Sequence, residues 1–499
     1  MKKNILKLAL IALLAVPALQ SCEMDQFPSS SVSSEESWQT LNDLYAHDLG
    51  TMASIRSMSR LGWDVSDIQC DYFQPNKAYG NRGGEIYRWN FQAAESDMVD
   101  AWSNPFGNLV TFNDFLGNYE KACPDGIDAL DSDDQETVSQ YLCNAYFGRA
   151  LAYYQLVVRF AKDYEPSTAA EDLGLPIITE VNINTRTGRA SIEDTYAFIS
   201  ENLDKALEYC TSDEPSTDYI SEPVIKFLQA KVAFDKHEYD DAISLAKEVI
   251  ENYSFALPVS QDEFDAIWTE DEGAEIVWKP YCDTQENFSF GNFLTYGSGK
   301  YAPDWIPAKS TIDMYDAADY RLAKWFRDPE APVSNGDATV DDVLLFGKHQ
   351  GNPNLMLSSD DAAHTYKQTP KVFRLAELYL IIAEAAYLNG DETTAKNYLG
   401  DLQETRGVAR SATSGSLLFT NIKDEWKKEF IGEGKRLICL KRWHEGFSRN
   451  PAAQNNSLIV TADADQNIAR TVSANDQRFV WDIPDNDKIH GGLEGNWSL

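Results

Sequence analysis

Two stretches 153 residues apart follow one residue grammar, and this echo constrains the fold of the 499-residue chain more than any other feature. "AKVAFDKHEYDDAISLAKEVI" begins at Ala230 and "AEAAYLNGDETTAKNYLGDL" at Ala383. In that register Ala233 falls on Ala386, Phe234 on Tyr387, Ala242 on Ala395 and Leu245 on Tyr398. A small residue, an aromatic, a polar turn, then Ala with a large apolar residue is the grammar of a tetratricopeptide helix pair. Its small side chains let antiparallel helices approach closely.

Two further helices extend the pattern. Residues 136–160 place Tyr141, Ala145, Gly148, Ala152 and Leu156 at three- and four-residue steps with apolar neighbours on both sides, which predicts a helix buried over most of its surface. Residues 192–209 repeat the spacing with Ile192, Tyr196, Ile199, Leu203 and Leu207, behind Ser191 as N-cap, and predict an amphipathic helix. The repeats are not in tandem. Residues 255–345 are rich in Trp, Tyr, Gly, Pro and Asp with a strand-like "AEIVWKPY" at 274–281, and residues 50–110 and 445–480 read as similarly irregular. The expected fold is mainly α: a tetratricopeptide-like scaffold with helix pairs near 136–209, 222–251 and 371–404, a few short strands, and long aromatic-rich loops where binding is expected. No Pro/Ser/Gly tract divides the chain, so residues 22–499 are read as a single body.

The N-terminus reads as a leader. Met1-Lys2-Lys3 and Lys7 precede nine uninterrupted apolar residues, Leu8 to Val16, the layout of a secretory signal peptide. As helix these nine span about 14 Å, half a bilayer core. Leu19-Gln20-Ser21-Cys22 resembles a bacterial lipobox, which makes residues 1–21 the signal peptide and Cys22 the lipid-bearing first residue; an ordinary leader with a stray cysteine is the alternative. Residues 22–35, with Glu23, Asp25, Pro28 and several serines, then form a flexible tether.

Losing Lys2, Lys3 and Lys7 leaves 40 of 43 basic residues against 79 acidic ones, a net charge of −39 that repels phosphate backbones and argues against nucleic acid as partner. Apart from Cys22 the cysteines are Cys70, Cys123, Cys143, Cys210, Cys282 and Cys439, without CxxC spacing or clustering; Cys143 and Cys439 sit in apolar helical patterns and read as core.

No catalytic motif stands out. The chain has no GxSxG, HExxH or P-loop, and His47, His237, His349, His364, His444 and His490 show no ligand spacing. With 79 acids, carboxylate pairs can be chosen at will, so spacing carries no glycosidase argument. Asp463-x-Asp465-x-Asn467 starts like a calcium loop but continues with Ile468 and Ala474 where an EF-hand needs Gly and Glu, leaving room only for adventitious calcium. The expectation is a protein that is not an enzyme and has no cofactor.

"KVFRLAELYLIIAEAAYLNGD" at 371–391 and "WKKEFIGEGKRLICLKRWHEG" at 426–446, with the lipobox, resemble the SusD/RagB-like family of outer-membrane nutrient-binding lipoproteins. The resemblance rests on Arg374 and Ala383-Glu384-Ala385, and on Glu433, Gly434, Arg436, Leu440, Arg442 and Trp443. Weaker matches are Trp102, Phe106, Leu109 and Asn113, then Arg149-Ala150 and Leu175-Pro176; the C-terminal stretch keeps Ile483-Pro484 but lacks the usual asparagine-proline run. Physically, Glu433 and Arg436 are three apart and can pair on one helical turn; with Arg442 they read as an ion-pair knot holding the last helix against the repeats.

The resemblance implies a lipid-anchored protein on the outer face of the outer membrane that captures a glycan and acts as lid on a SusC-like TonB-dependent transporter. A helical scaffold for other proteins, a peptide or glycopeptide binder, and a surface glycosidase are the alternatives. Sugars present apolar C–H faces and hydroxyl rims, so aromatic rings among amides and carboxylates are the candidate platform. Two stretches offer them: Trp63, Tyr72, Phe73, Tyr79, Tyr87 and Trp89 in 63–91, and Tyr281, Phe288, Phe290, Phe293, Tyr296, Tyr301 and Trp305 in 281–305.

Overall fold

The computed structural model describes residues 37–182, 186–212, 218–289, 293–357, 364 and 366–497. The leader, Cys22, the tether and Phe290 lie outside the described residues. No helix among the described residues is long and apolar enough to cross a membrane.

The scaffold is the mainly α, tetratricopeptide-like one that the echo predicts. Its principal helices are α1 (Leu41–Met58), α2 (Ser96–Asn118), α3 (Ser132–Phe160), α4 (Ile192–Tyr209), α5 (Glu222–Asp235), α6 (Tyr239–Asn252), α7 (Leu375–Leu388), α8 (Glu392–Thr405), α9 (Ser416–Glu429) and α10 (Arg436–Arg442). Helices α3 to α8 pack mainly on neighbours in the chain, α1 lies against both α2 and α3, α9 lies against α7, and α7 lies against α6 across a long insertion.

Local chemistry sets these elements. Asp131 caps α3 by accepting from the Asp134 N–H, with acids in its first turn and Arg159 in its last, as the helix dipole favours. Every α3 residue from Ala150 to Phe160 is buried. Ser191 caps α4 as expected, accepting from Asp194 N at 3.0 Å. The repeat holds down to single hydrogen bonds: α5 closes with Glu238 N to Ala233 O at 2.9 Å, and α7 with Asp391 N to Ala386 O at 2.8 Å, again 153 residues apart. Ala242 and Ala395, the small residues of the two second helices, are completely buried.

Residues 50–110 differ from the expectation. They hold the end of α1, short helices at Trp63–Gln69 and Gly84–Arg88, and the start of α2. Residues 255–345 supply paired scraps of strand, and the predicted strand near 274–281 is Ile276–Trp278, antiparallel to Phe373–Arg374.

Beneath these strands lies a buried ionic cluster. Arg374 donates to Glu275 at 2.7 Å, Glu429 at 2.6 Å and Glu433 at 2.6 Å. Arg406 reaches the same Glu275 and Glu429, and Arg321 holds Asp319, Glu425 and Glu429. Lys348 Nζ adds Glu433 at 2.6 Å. Of the three residues of the expected knot only Glu433 belongs to this cluster, and the predicted Glu433–Arg436 pair does not form. Glu433 faces the cluster, while Arg436 turns to Asp71 at 2.9 Å on another segment. Gly434 explains the separation: its φ is +70°, and a Cβ there would lie 2.7 Å from Trp63 Cα. Farther along, Glu384 of α7 receives Arg442 at 3.0 and 3.1 Å and the Trp443 indole at 2.7 Å, which fastens α10 to the repeats.

Candidate functional site

The strand Phe73–Pro75 pairs antiparallel with Trp305–Pro307, and the chain then leaves the sheet in a tight series of turns. Asn76, fully buried, anchors the departure by donating to Pro303 O and Ser334 O, both at 2.9 Å. Gly80, Asn81, Gly83 and Trp89 all take positive φ, between +57° and +68°. This folds residues 79–90 around the short helix Gly84–Arg88 and opens a basin of about 800 Å³. Its lining is Tyr79, Asn81, Glu85, Arg88, Trp89, Asn90 and Asn467.

One guanidinium organises this lining. Arg88 donates to the Tyr79 hydroxyl at 2.6 Å, to Asn81 Oδ1 at 2.6 Å and to Glu85 Oε1 at 3.0 Å, and it reaches Asp465 Oδ2 at 3.5 Å. Asn90 donates to the other Glu85 oxygen at 3.1 Å. The Asn467 N–H and side-chain amide both donate to Asp465 Oδ1 at 2.9 Å, holding that carboxyl below the usual range. The Tyr79 ring meets Trp305 edge-on at 5.6 Å, and partial burial raises its phenol pKa. A fixed ring bordered by amides, carboxylates and an arginine can stack on an apolar face while trading hydrogen bonds with the surrounding hydroxyls. The calcium-like stretch is used up in this arrangement: Asp465 serves Asn467, and Asp463 pairs with Arg470 at 3.0 Å.

The rings singled out by sequence divide sharply. Tyr79 and Trp89 line the basin, although Trp89 is only 5% exposed and donates its indole N–H to Gln69 O. Trp63, Tyr72, Phe73, Tyr87, Phe293, Tyr301 and Trp305 are core residues, at most 5% exposed. That corrects their assignment to a ligand platform, because their faces already pack on protein. Tyr72, for instance, donates to Lys427 O at 2.7 Å. Tyr281 is exposed, and Phe288 and Tyr296 are half-buried away from the basin, with Tyr296 stacked on His364 at 3.5 Å. Sequence reading passed over Asn81, Glu85, Arg88 and Asn90, and met Asn467 only as part of the calcium-like stretch; the glycine run at 80–84 is the signal that a turn-built cavity was there.

Comparison with known proteins places this architecture. The SusD family matches residues 243–488, and a second family, described as "Starch-binding associating with outer membrane", matches residues 25–228. SusD-like protein P2 of Formosa agariphila is 24% identical over 470 residues, covering 85% of this chain and 86% of that one. A SusD superfamily protein from Bacteroides thetaiotaomicron superposes with a TM-score of 0.74 at 21% identity, covering 92% of this chain and all of the other. A putative sugar binding protein from Bacteroides vulgatus gives 0.73 at 22% identity, with 92% and 99% covered. Surface glycan-binding protein A of Bacteroides fluxus gives 0.66 at 19%, with 92% and 100% covered.

Proposed function

The chain belongs to the SusD family, and from that premise we propose that it is a non-catalytic, lipid-anchored protein of the outer membrane that binds a glycan and passes it to a SusC-like TonB-dependent transporter. Cys22 carries the lipid, and the 22–35 tether keeps the body at the membrane while it moves. The observation that carries the binding role is the Arg88-centred basin: one half-exposed ring, Tyr79, held rigidly among Asn81, Glu85, Asn90 and Asn467. Sugar recognition needs such a partly apolar, hydroxyl-satisfying surface. The printed descriptions of relatives, starch-binding and surface glycan-binding, support the same class of ligand. The mechanism is non-covalent, so nothing in it calls for an acid–base pair or a metal.

Incubation of the mature protein with a glycan array, followed by calorimetry on the best ligand and chromatography for released products, tests the reading. Retention without hydrolysis is expected. Folded protein that retains no glycan would leave the scaffold role, and product release would make it a glycosidase. Metabolic palmitate labelling that survives Cys22→Ser would remove the proposed anchor.

A further inference from the structure

Two histidines outside the basin lining occupy backbone conformations that disfavour any side chain. His237 has φ +64° just beyond α5, and His444 has φ +50° just beyond α10. Both sit in the same helix-ending turn: Glu238 N reaches Ala233 O, and Glu445 N reaches Leu440 O, each at 2.9 Å. Glycine usually occupies this position, since a Cβ in the left-handed region costs about 1–2 kcal/mol. The internal repeat supplies the comparison. At the 153-residue offset His237 corresponds to Gly390, which closes the equivalent turn with φ +82°. The turn itself therefore does not require histidine.

Both rings reach the loop that follows α3. His444 Nε2 lies 2.8 Å from Glu165 Oε1, and His237 Nε2 lies 4.0 Å from Asp163 Oδ2. Donor atoms of Asp163, Glu165 and His444 all lie within 4.8 Å of one another. Asp163 Oδ2 is closed off from solvent and accepts no hydrogen bond, a costly state for a carboxylate oxygen. The nearby cations are engaged elsewhere: Lys441 with Val158 O and Ala161 O, and Arg442 with Glu384. Tyr239 stacks on the His237 ring at 5.6 Å and fixes its plane.

We propose that Asp163, Glu165, His237 and His444 form a site for a divalent transition cation, zinc by the chemistry of the donors, that clips the ends of α3, α5 and α10 together. Zinc takes imidazole nitrogen and carboxylate oxygen at about 2.0–2.2 Å in a tetrahedron, which sets ligand atoms roughly 3.3 Å apart. The Glu165–His444 separation of 2.8 Å and the Asp163–His237 separation of 4.0 Å lie on either side of that value, and His237, which stands outside the 4.8 Å group, has to close in on the ion as the fourth ligand. The C-terminal ends of α5 and α10 add negative dipole ends next to the cation. Bound metal would offset the strain of two left-handed histidines and give Asp163 its missing partner.

The test titrates zinc chloride into chelator-treated mature protein by calorimetry, with calcium chloride in parallel, and follows Tm. One equivalent of zinc with a raised Tm is expected, and little response to calcium. The double variant His237→Gly/His444→Gly relieves both strained positions, so its metal-free Tm should equal or exceed that of the wild type while zinc affinity falls roughly 100-fold. Glu165→Gln, which leaves both turns untouched, should also weaken zinc. Absence of a zinc response, zinc binding that survives both variants, or a stronger response to calcium than to zinc would each overturn the site.

Discussion

Arg374 grips Glu433 through two hydrogen bonds, Nη2 to Oε1 at 2.6 Å and Nε to Oε2 at 3.1 Å, with neither side chain reaching solvent beyond 3%. The pair joins the start of α7 to the turn between α9 and α10, so the two most distinctive motifs of the sequence are halves of one clamp. Glu275 and Glu429 share the same guanidinium, which makes Arg374 the centre of a network.

Removing that centre leaves buried carboxylates uncompensated. Arg374→Met should therefore destabilise the protein by about 3–5 kcal/mol, read as a lower denaturant midpoint with an unchanged slope. Arg374→Lys should recover little, because a point charge cannot serve three carboxylates in the planar, forked geometry seen here.

The buried pairs also set the acid limit. Burial alone would raise the Glu377 carboxyl, but Lys231 and Lys435 bring it down to about 2, and Arg406, Arg374 and Arg321 hold Glu429 well below the usual range against the same burial. A folded-state pKa below the unfolded value near 4.5 means that this stability is complete above pH 4.5. It is lost as pH falls through the folded value. Thermal unfolding between pH 5 and about pH 2 should show a continuous fall in Tm, and Glu377→Gln should flatten part of it.

Tyr79 and Arg88 test the basin without testing the fold. Tyr79 is half-exposed, so Tyr79→Ala should cost glycan affinity about 3- to 10-fold, the worth of one stacked ring, with Tm nearly unchanged. Arg88→Ala releases Tyr79 and Asn81 together and should cost more. Trp305→Ala, by contrast, deletes a core ring and would be read mainly in stability. Equal affinities in wild type, Tyr79→Ala and Arg88→Ala would move the ligand elsewhere, with Tyr281 and Tyr296 next in line.

The fold was legible where it depends on local periodicity. Small residues at Ala233, Ala386, Ala242 and Ala395 announced the repeat, and Ser191 announced a cap. Helix α2 was legible only through the family resemblance of Trp102, Phe106, Leu109 and Asn113 and not from propensity, because "SDMVDAWSNPFGNLVTFNDFLGN" is full of Ser, Asn, Asp, Gly and Pro, and packing of Trp102, Leu109 and Phe112 overrides those propensities. The clamp residues were recognisable but their partners were not: Glu433 chose an arginine 59 positions away, and Arg436 an aspartate 365 away, over each other. Composition likewise cannot tell Trp305, a core ring, from Tyr79, a half-exposed one; that depends on which strand turns each residue inward.

Asp48 on α1 carries a pH signature of opposite sign. Burial pushes its carboxyl up to about 7 even though Asn144 of α3 donates to it at 2.9 Å. The folded state then holds a proton that the unfolded chain has lost between pH 4 and 7, so this group's contribution falls as pH rises and the penalty is complete above about 7. Asp48→Asn keeps a carbonyl to accept from Asn144 and removes the charge. It should stabilise by about 1–3 kcal/mol at pH 8 and by little at pH 4; a gain independent of pH would contradict the assignment.

Two helical glycines should respond to the same substitution with opposite signs. Gly107 is exposed in the middle of α2 with open space around it, so Gly107→Ala removes backbone entropy from the unfolded chain and should stabilise by about 0.5–1 kcal/mol. Gly148 lies where α3 crosses α2, and a Cβ there would sit 2.6 Å from Cε1 and 2.7 Å from Cζ of Phe112. The Phe112 ring is fully buried and cannot step aside without displacing its neighbours. The clash should outweigh the propensity gain, so Gly148→Ala is expected to destabilise by about 1–3 kcal/mol. Gly148→Ala paired with Phe112→Leu should recover part of that loss, since the shorter side chain vacates the space. Chemical denaturation of the three variants decides the matter. A stabilised Gly148→Ala would mean that the close approach of these two helices, on which the repeat packing depends, is looser than the 2.6 Å contact implies.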